Sequence, residues 1–232
     1  MSAELRIVAD PAATCAELLV EVAARGGQIV LAGGSTPRSA YKQAAAAGTS
    51  WSRATAWFGD ERCVPPDDDR SNYAMAKAAL LDPLGEEGPA VKRMRGELGP
   101  DEGAAEYERE LRAAGPPTFD LLLLGLGPDG HTASLFPDQE SLAERERLVV
   151  GVAVPGLEPV VSRVTLTLPA LAMARQILFL VEGEQKADAV VAAFGAGAKP
   201  NPHVPASMLP PLAQSVTVLL DAAAASKLDH GR

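Results

Sequence analysis

Short apolar runs that stop at glycine turns, alternating with stretches of helical periodicity, predict an α/β fold on a mostly parallel sheet flanked by helices. Three stretches carry this. Leu121 to Leu124 is an all-apolar run of strand length, ending in a turn with Gly125, Gly127 and Gly130 around Pro128 and Asp129. Gln28 to Ala32 runs into Gly33-Gly34-Ser35-Thr36, and Thr55 to Phe58 runs into Gly59-Asp60-Glu61-Arg62. Ligands in such folds bind outside the carboxyl ends of the strands, so these three turns form the candidate site.

Residues 11 to 25 carry Leu18, Leu19 and Val22 at helical spacing and stop at Gly26-Gly27, which predicts an amphipathic helix. A second helix follows the Gly33 to Thr36 turn and runs through Tyr41 and Lys42. After a polar loop, Asp67 to Asn72, an Ala-rich helix is expected to reach Leu81, and a short strand is expected at Val91 to Met94. Asp101 to Ala114 reads as a charged surface helix. A helix is expected to start near Thr132, directly after the central turn. Strands are expected at Val149 to Val154, Val164 to Leu168, Ile177 to Val181 and Val216 to Leu220, with helices at Glu184 to Phe194 and Ala222 to Leu228. The Pro/Gly-rich stretches near Asp82 to Pro89 and Gly195 to Pro205 are too short for domain linkers, so one domain over residues 1–232 is expected.

The 232-residue chain is 47% hydrophobic, enough for a core without disulfide or metal staples. Its net charge of −9 argues against nucleic acid or an anionic membrane as the main partner. An anionic substrate would therefore need a local basic pocket. Cys15 and Cys63 lie far apart without metal-ligand spacing and read as reduced thiols of a cytoplasmic protein. The N-terminus shows no apolar run of signal-peptide length, and no stretch approaches a membrane span.

Each candidate motif has a plain structural alternative. At Gly33 to Thr36, backbone N–H groups, the helix dipole and two hydroxyls suit an anion, but Ser and Thr are also ordinary helix caps. No lysine follows at Walker spacing. Asp60, Glu61 and Arg62 are either site residues or a solvated loop with a local ion pair. Gly125 to Gly130 satisfies GxGxxG, yet the following strand ends in Pro155-Gly156 without the acid that holds a ribose, which argues against a dinucleotide. His131, just past a buried strand, suits general-base work because imidazole titrates near neutrality. His203 and His230 lie in a Pro-rich loop and a tail. No G-x-S-x-G elbow and no metal-ligand spacing occur, and Ser134 is expected one helical turn from His131.

Taken together, GGST-P at 33–37, WFGDERCVPPDDDRSNY at 57–73, FDLLLLGLGPDGHTASLFP at 119–137, RVTLTLPAL at 163–171, EGEQKADAV at 182–190 and VPAS at 204–207 resemble the 6-phosphogluconolactonases. The DGHTASLFP ending separates that family from the related glucosamine-6-phosphate deaminases. The resemblance implies a Rossmann-like fold, similar to those deaminases and to ribose-5-phosphate isomerase. It implies hydrolysis of 6-phosphoglucono-δ-lactone to 6-phosphogluconate in the oxidative pentose phosphate pathway, with no cofactor; the lack of a ligand cluster of metal spacing adds the expectation that no metal is needed. Two stretches depart from the family pattern: Pro159-Val160-Val161-Ser162 replaces a Pro-rich lead into Arg163, and Val218-Leu219-Leu220-Asp221 lacks an aromatic before the final Leu-Asp.

On this resemblance His131 is the expected general base, with Asp129 or Asp60 orienting its ring and N–H groups of the glycine turn facing the oxyanion. The substrate and its phosphate are expected at Gly33, Gly34, Ser35, Thr36, Arg62, Asn72, Gly127, Gly130, Arg163 and Lys186. Two rivals share the fold. An isomerase or deaminase would use Asp60 to move a proton on carbon. A sugar-phosphate sensor would carry a DNA-binding helix-turn-helix, for which the chain has no room before the Gln28 strand.

Overall fold

The structure, a computed structural model, describes residues 2–115, 118–156 and 158–228. The chain runs β1 (Glu4–Ile7), α1 (Pro11–Ala24), β2 (Gln28–Leu31), α2 (Ser35–Ala46), β3 (Thr55–Phe58), β4 (Asp60–Arg62) and α3 (Asn72–Ala76). A π turn, Lys77–Leu81, leads into α4 (Asp82–Leu84), β5 (Ala90–Val91) and α5 (Pro100–Ala113). Then follow β6 (Leu121–Leu124), β7 (Val149–Val152), β8 (Arg163–Leu166), α6 (Leu168–Ala172), β9 (Ile177–Val181), α7 (Ala187–Phe194) and β10 (Val216–Leu220).

Seven strands form a parallel sheet in the order β1-β10-β9-β6-β2-β3-β5. β6 is its middle strand, and all four of its leucines are buried, as a strand covered on both faces requires. The chain steps outward from β2 to β3 and β5 on one side, and from β6 to β9 and β10 on the other. β2 and β6 are therefore neighbours at the topological switch point, where a crevice opens between carboxyl ends. α1 packs on α2 and against β2, β9 and β10, while α5 packs against β7 and β8.

The remaining strands depart from the expected arrangement. β4, β8 and β7 form a separate three-stranded antiparallel sheet, so the stretches expected at 149–154 and 164–168 do not extend the parallel one. Gly59-Asp60-Glu61-Arg62 is not a free loop: β4 pairs with β8 in the register Asp60↔Thr165, Glu61↔Val164, Arg62↔Arg163. β1, unread from its exposed sequence, is an edge strand beside β10. No helix starts at Thr132. Leu135 N–H donates to Thr132 carbonyl and Ala133 adopts φ +47°, so the chain doubles back in a tight turn. Ala222 to Leu228 forms successive turns, with Ser226 donating to Ala223 and Leu228 to Ala225. The Asp221 carboxylate holds the N–H groups of both Gly183 and Ala224, which ties this segment to the end of β9. Among the described residues no helix is long and apolar enough to cross a membrane, and Cys15 and Cys63 are free.

Candidate active site

A cavity of about 280 Å³ opens at the switch point. Its walls contain all the expected site residues except Asp129 and Gly130, which lie behind His131 in the turn. β2 delivers Gly33 to Thr36 from one side. Tyr41 fixes that delivery: its buried hydroxyl accepts from Ala32 N–H at 2.9 Å and donates to Ala32 carbonyl at 2.8 Å. Gly34, at φ +112°, is the N-cap of α2, and neither Ser35 nor Thr36 makes a capping bond. The first-turn N–H groups of α2 are thus not capped by a side chain, at the positive end of the helix dipole.

β6 delivers the imidazole. The Asp129 carboxylate accepts from His131 backbone N–H at 3.1 Å and holds ring Nδ1 at 2.6 Å. An ionised carboxylate only accepts, so the proton sits on Nδ1 and Nε2 is the basic nitrogen. Burial pulls the Asp129 carboxyl upward, but its bonds with His131 outweigh this and hold it below its ordinary value. Gly127 is demanded by close approach, since a Cβ there would lie 2.0 Å from His131 Nδ1. Two of the turn amides expected to face an oxyanion are occupied within the turn: Gly127 donates to His131 carbonyl and Gly130 to Gly127 carbonyl. Phe136 packs 4.7 Å from the His131 ring, and the Arg163 guanidinium lies 6.0 Å above the Phe136 ring.

Of the two carboxylates left open by the sequence, Asp129 is the one hydrogen-bonded to His131. Asp60, buried at the start of β4, accepts instead from Ser134 Oγ at 2.7 Å and from Asn72 Nδ2 at 3.0 Å. Ser134 therefore touches the site from the tight turn, not from a helix face. Asn72 also donates to Asp60 carbonyl at 2.9 Å and fills the space beside Gly33, where a Cβ would lie 2.0 Å from its Oδ1.

The cations come from both sheets. Arg62 and Arg163 are direct partners across β4 and β8, a like-charge pairing that sheets ordinarily disfavour. Arg163 donates to Val161 carbonyl at 3.0 Å and Pro159 carbonyl at 2.9 Å, anchoring the loop whose Glu158 also lines the cavity. Burial lowers the Arg163 pKa, opposed by Asp60 and reinforced by Arg62. Arg62 Nη1 donates to Arg70 carbonyl, while Arg62 Nε is buried without a hydrogen-bond partner. Lys186, after β9, donates to Leu126 carbonyl at 2.7 Å. Burial holds its ammonium below the ordinary lysine value, against the pull of Asp129. Among the described residues no group of three or more His, Cys, Asp or Glu side chains is arranged to hold a metal ion.

Ser134 and Phe136 are contacts that the sequence does not assign to this site, and Glu61, a candidate site residue in the sequence, faces away from the cavity. The ASLFP segment was legible as part of a motif, but its tight turn, which brings Ser134 to Asp60 and Phe136 to His131, was not. A strand order that reverses at a polar crevice, with helices on the parallel sheet, defines a Rossmann-like α/β protein.

The chain belongs to the family described as glucosamine-6-phosphate isomerases/6-phosphogluconolactonase, which it matches over residues 4–218. It is 38% identical to a protein of Streptomyces coelicolor named 6-phosphogluconolactonase, over 97% of this chain and 91% of that one. Its structure is similar to that of the 6-phosphogluconolactonase from Trypanosoma cruzi, with TM-score 0.84, 29% identity, and 99% and 98% of the two chains covered. A monomeric glucosamine-6-phosphate deaminase shares the fold at TM-score 0.78 and 21% identity, covering 97% of this chain and 99% of that one.

Proposed function

We propose that this chain hydrolyses 6-phosphoglucono-δ-lactone to 6-phosphogluconate, a carboxylic-ester hydrolysis of the oxidative pentose phosphate pathway, with His131 as general base. The observation that carries this reading is the 2.6 Å bond between Asp129 and His131 Nδ1, which leaves Nε2 to take a proton. The Streptomyces and Trypanosoma relatives, named for the lactonase reaction, support it over a deaminase or isomerase. So does Asp60, whose oxygens are engaged by Ser134 and Asn72.

A lactone is an internal ester. Water attacks its carbonyl carbon while Nε2 removes a water proton. The tetrahedral intermediate then collapses, the ring C–O bond breaks, and the imidazolium returns the proton to the leaving ring oxygen. Asp129 keeps the ring in the productive tautomer and stabilises its positive charge. The phosphate is held by the first turn of α2 at Gly33, Gly34, Ser35 and Thr36, with Arg62, Arg163 and Lys186. This gathers cations at one place in a chain of net charge −9. Asn72 shapes the floor beside Gly33, and the two free cysteines support a cytoplasmic setting.

The test is His131→Ala. Loss of a general base lowers kcat by about a hundredfold to ten-thousandfold after subtraction of spontaneous lactone opening, with little change in KM. A folded variant with near-wild-type turnover would overturn the assignment.

A further inference from the structure

We propose that Glu61 is a positioning residue for the phosphate side of the pocket, fixing Arg62 and Asn72 through the loop that joins them. This rests on the reading of Arg62 as a phosphate ligand.

Side chains alternate along a strand, so in β4 Asp60 and Arg62 face the cavity and Glu61 faces away from it. Glu61 is only 3% exposed, yet all its acceptor capacity is used within the protein. Its Oε1 accepts from the backbone N–H groups of Arg62 at 2.6 Å and Asn72 at 2.8 Å. Its Oε2 accepts from Ser71 Oγ at 2.9 Å and Tyr73 N–H at 2.8 Å. One carboxylate thus draws residues 71–73 back onto the strand that carries Arg62.

Two consequences reach the pocket. The returning loop brings Arg70 carbonyl to Arg62 Nη1, the guanidinium's hydrogen-bond acceptor. It also brings the Asn72 side chain onto Asp60 and against Gly33. Arg62 is therefore held in place while its Nε remains without a partner. A long arginine side chain left free would lose rotamer entropy on binding an anion, and fixing it beforehand removes that cost. A glutamine at 61 keeps the size but turns one acceptor into a donor facing either the Arg62/Asn72 or the Ser71/Tyr73 donors.

The experiment measures KM and kcat for the phosphorylated lactone in Glu61→Gln, Ser71→Ala, Arg62→Ala and the Glu61→Gln/Arg62→Ala double variant. Arg62→Ala is expected to raise KM by about ten- to a hundredfold. Glu61→Gln is expected to raise KM by about tenfold with kcat nearly unchanged, and Ser71→Ala by a smaller factor in the same direction. In the Arg62→Ala background, Glu61→Gln should raise KM by a smaller factor than in the unaltered protein, because one of the two side chains it positions is gone and only Asn72 remains.

A folded Glu61→Gln with unchanged KM, or one whose KM effect multiplies in full with that of Arg62→Ala, overturns the inference. If Glu61→Gln does not accumulate as folded protein, an unchanged KM in Ser71→Ala overturns it in the same way. If Arg62→Ala itself leaves KM unchanged, the phosphate reading fails first and this inference falls with it.

Discussion

Replacing Asp129 by Asn isolates the charge that faces the imidazole. Asn keeps an oxygen able to accept from His131 backbone N–H, as Asp129 does at 3.1 Å, so the turn retains its shape. What disappears is the negative charge opposite Nδ1, 2.6 Å away. Two unit charges about 4 Å apart attract by about 4 kcal/mol at an effective dielectric of 20. The Asp129 side chain is 30% exposed and that of His131 19%, so solvent screening weakens this. About 2–3 kcal/mol remains for the ring as it becomes positively charged in the transition state. The expected result is a kcat lower by about 30- to 150-fold. KM should hardly move, because the interaction removed is one that strengthens only in the transition state, as the ring takes up the proton. Turnover is followed by the acid released on ring opening, in weak buffer with an indicator dye and with the spontaneous rate subtracted. The double variant with His131→Ala should be no slower than His131→Ala alone. A kcat within threefold of the unaltered protein, or a loss confined to KM, would refute the reasoning.

Further outcomes follow from the same geometry. Arg163→Ala should raise KM for the phosphorylated lactone by about ten- to a hundredfold, and raise it less for unphosphorylated gluconolactone. Equal losses on both would make Arg163 a loop anchor only. Burial disfavours the charged form of Lys186, so its contribution to anion binding is present below its lowered pKa and is lost as pH rises through that value. Calorimetric affinity for 6-phosphogluconate should therefore fall before pH reaches the ordinary lysine value of 10.5, and Lys186→Arg should remove this early loss. Tyr41→Phe strands the Ala32 N–H and carbonyl, costing about 2 kcal/mol. Its melting temperature should drop by about 4–8 °C, and an unchanged melt would show that water replaces the hydroxyl.

The sequence reveals the parallel sheet because its strands are uniform. Leu121 to Leu124 and Ile177 to Val181 are apolar throughout, a pattern that follows from burial on both faces. The small sheet is hidden because β4, Asp60 to Arg62, is polar, short and needs β8 from about a hundred residues away to become a strand. The bend at Ala133 is hidden because a positive φ at alanine is held by tertiary contacts and leaves no compositional mark. The all-alanine run at 222–225 has strong helix propensity, yet the Asp221 carboxylate is shared with Gly183 and the backbone tightens into turns. At the site, Asp129 and His131 lie two residues apart, so their bond is close to a local property of the turn. The Glu61 contacts span a loop, and nothing short of the folded chain could reveal them.

The facing of Arg62 and Arg163 across the small sheet has a consequence for local opening. At rest their mutual repulsion works against the pairing of β4 with β8. An anion between them turns that repulsion into two attractions, so occupancy adds stability to the small sheet in particular. The seven-stranded sheet holds its ladder without such help. Ligand protection against amide exchange should then be uneven, concentrated on β4 and β8, with β1 and β10, which bring no residue to the cavity, hardly slowed. The anion would act as a removable rivet: the lesser sheet is tight during turnover and looser between substrates.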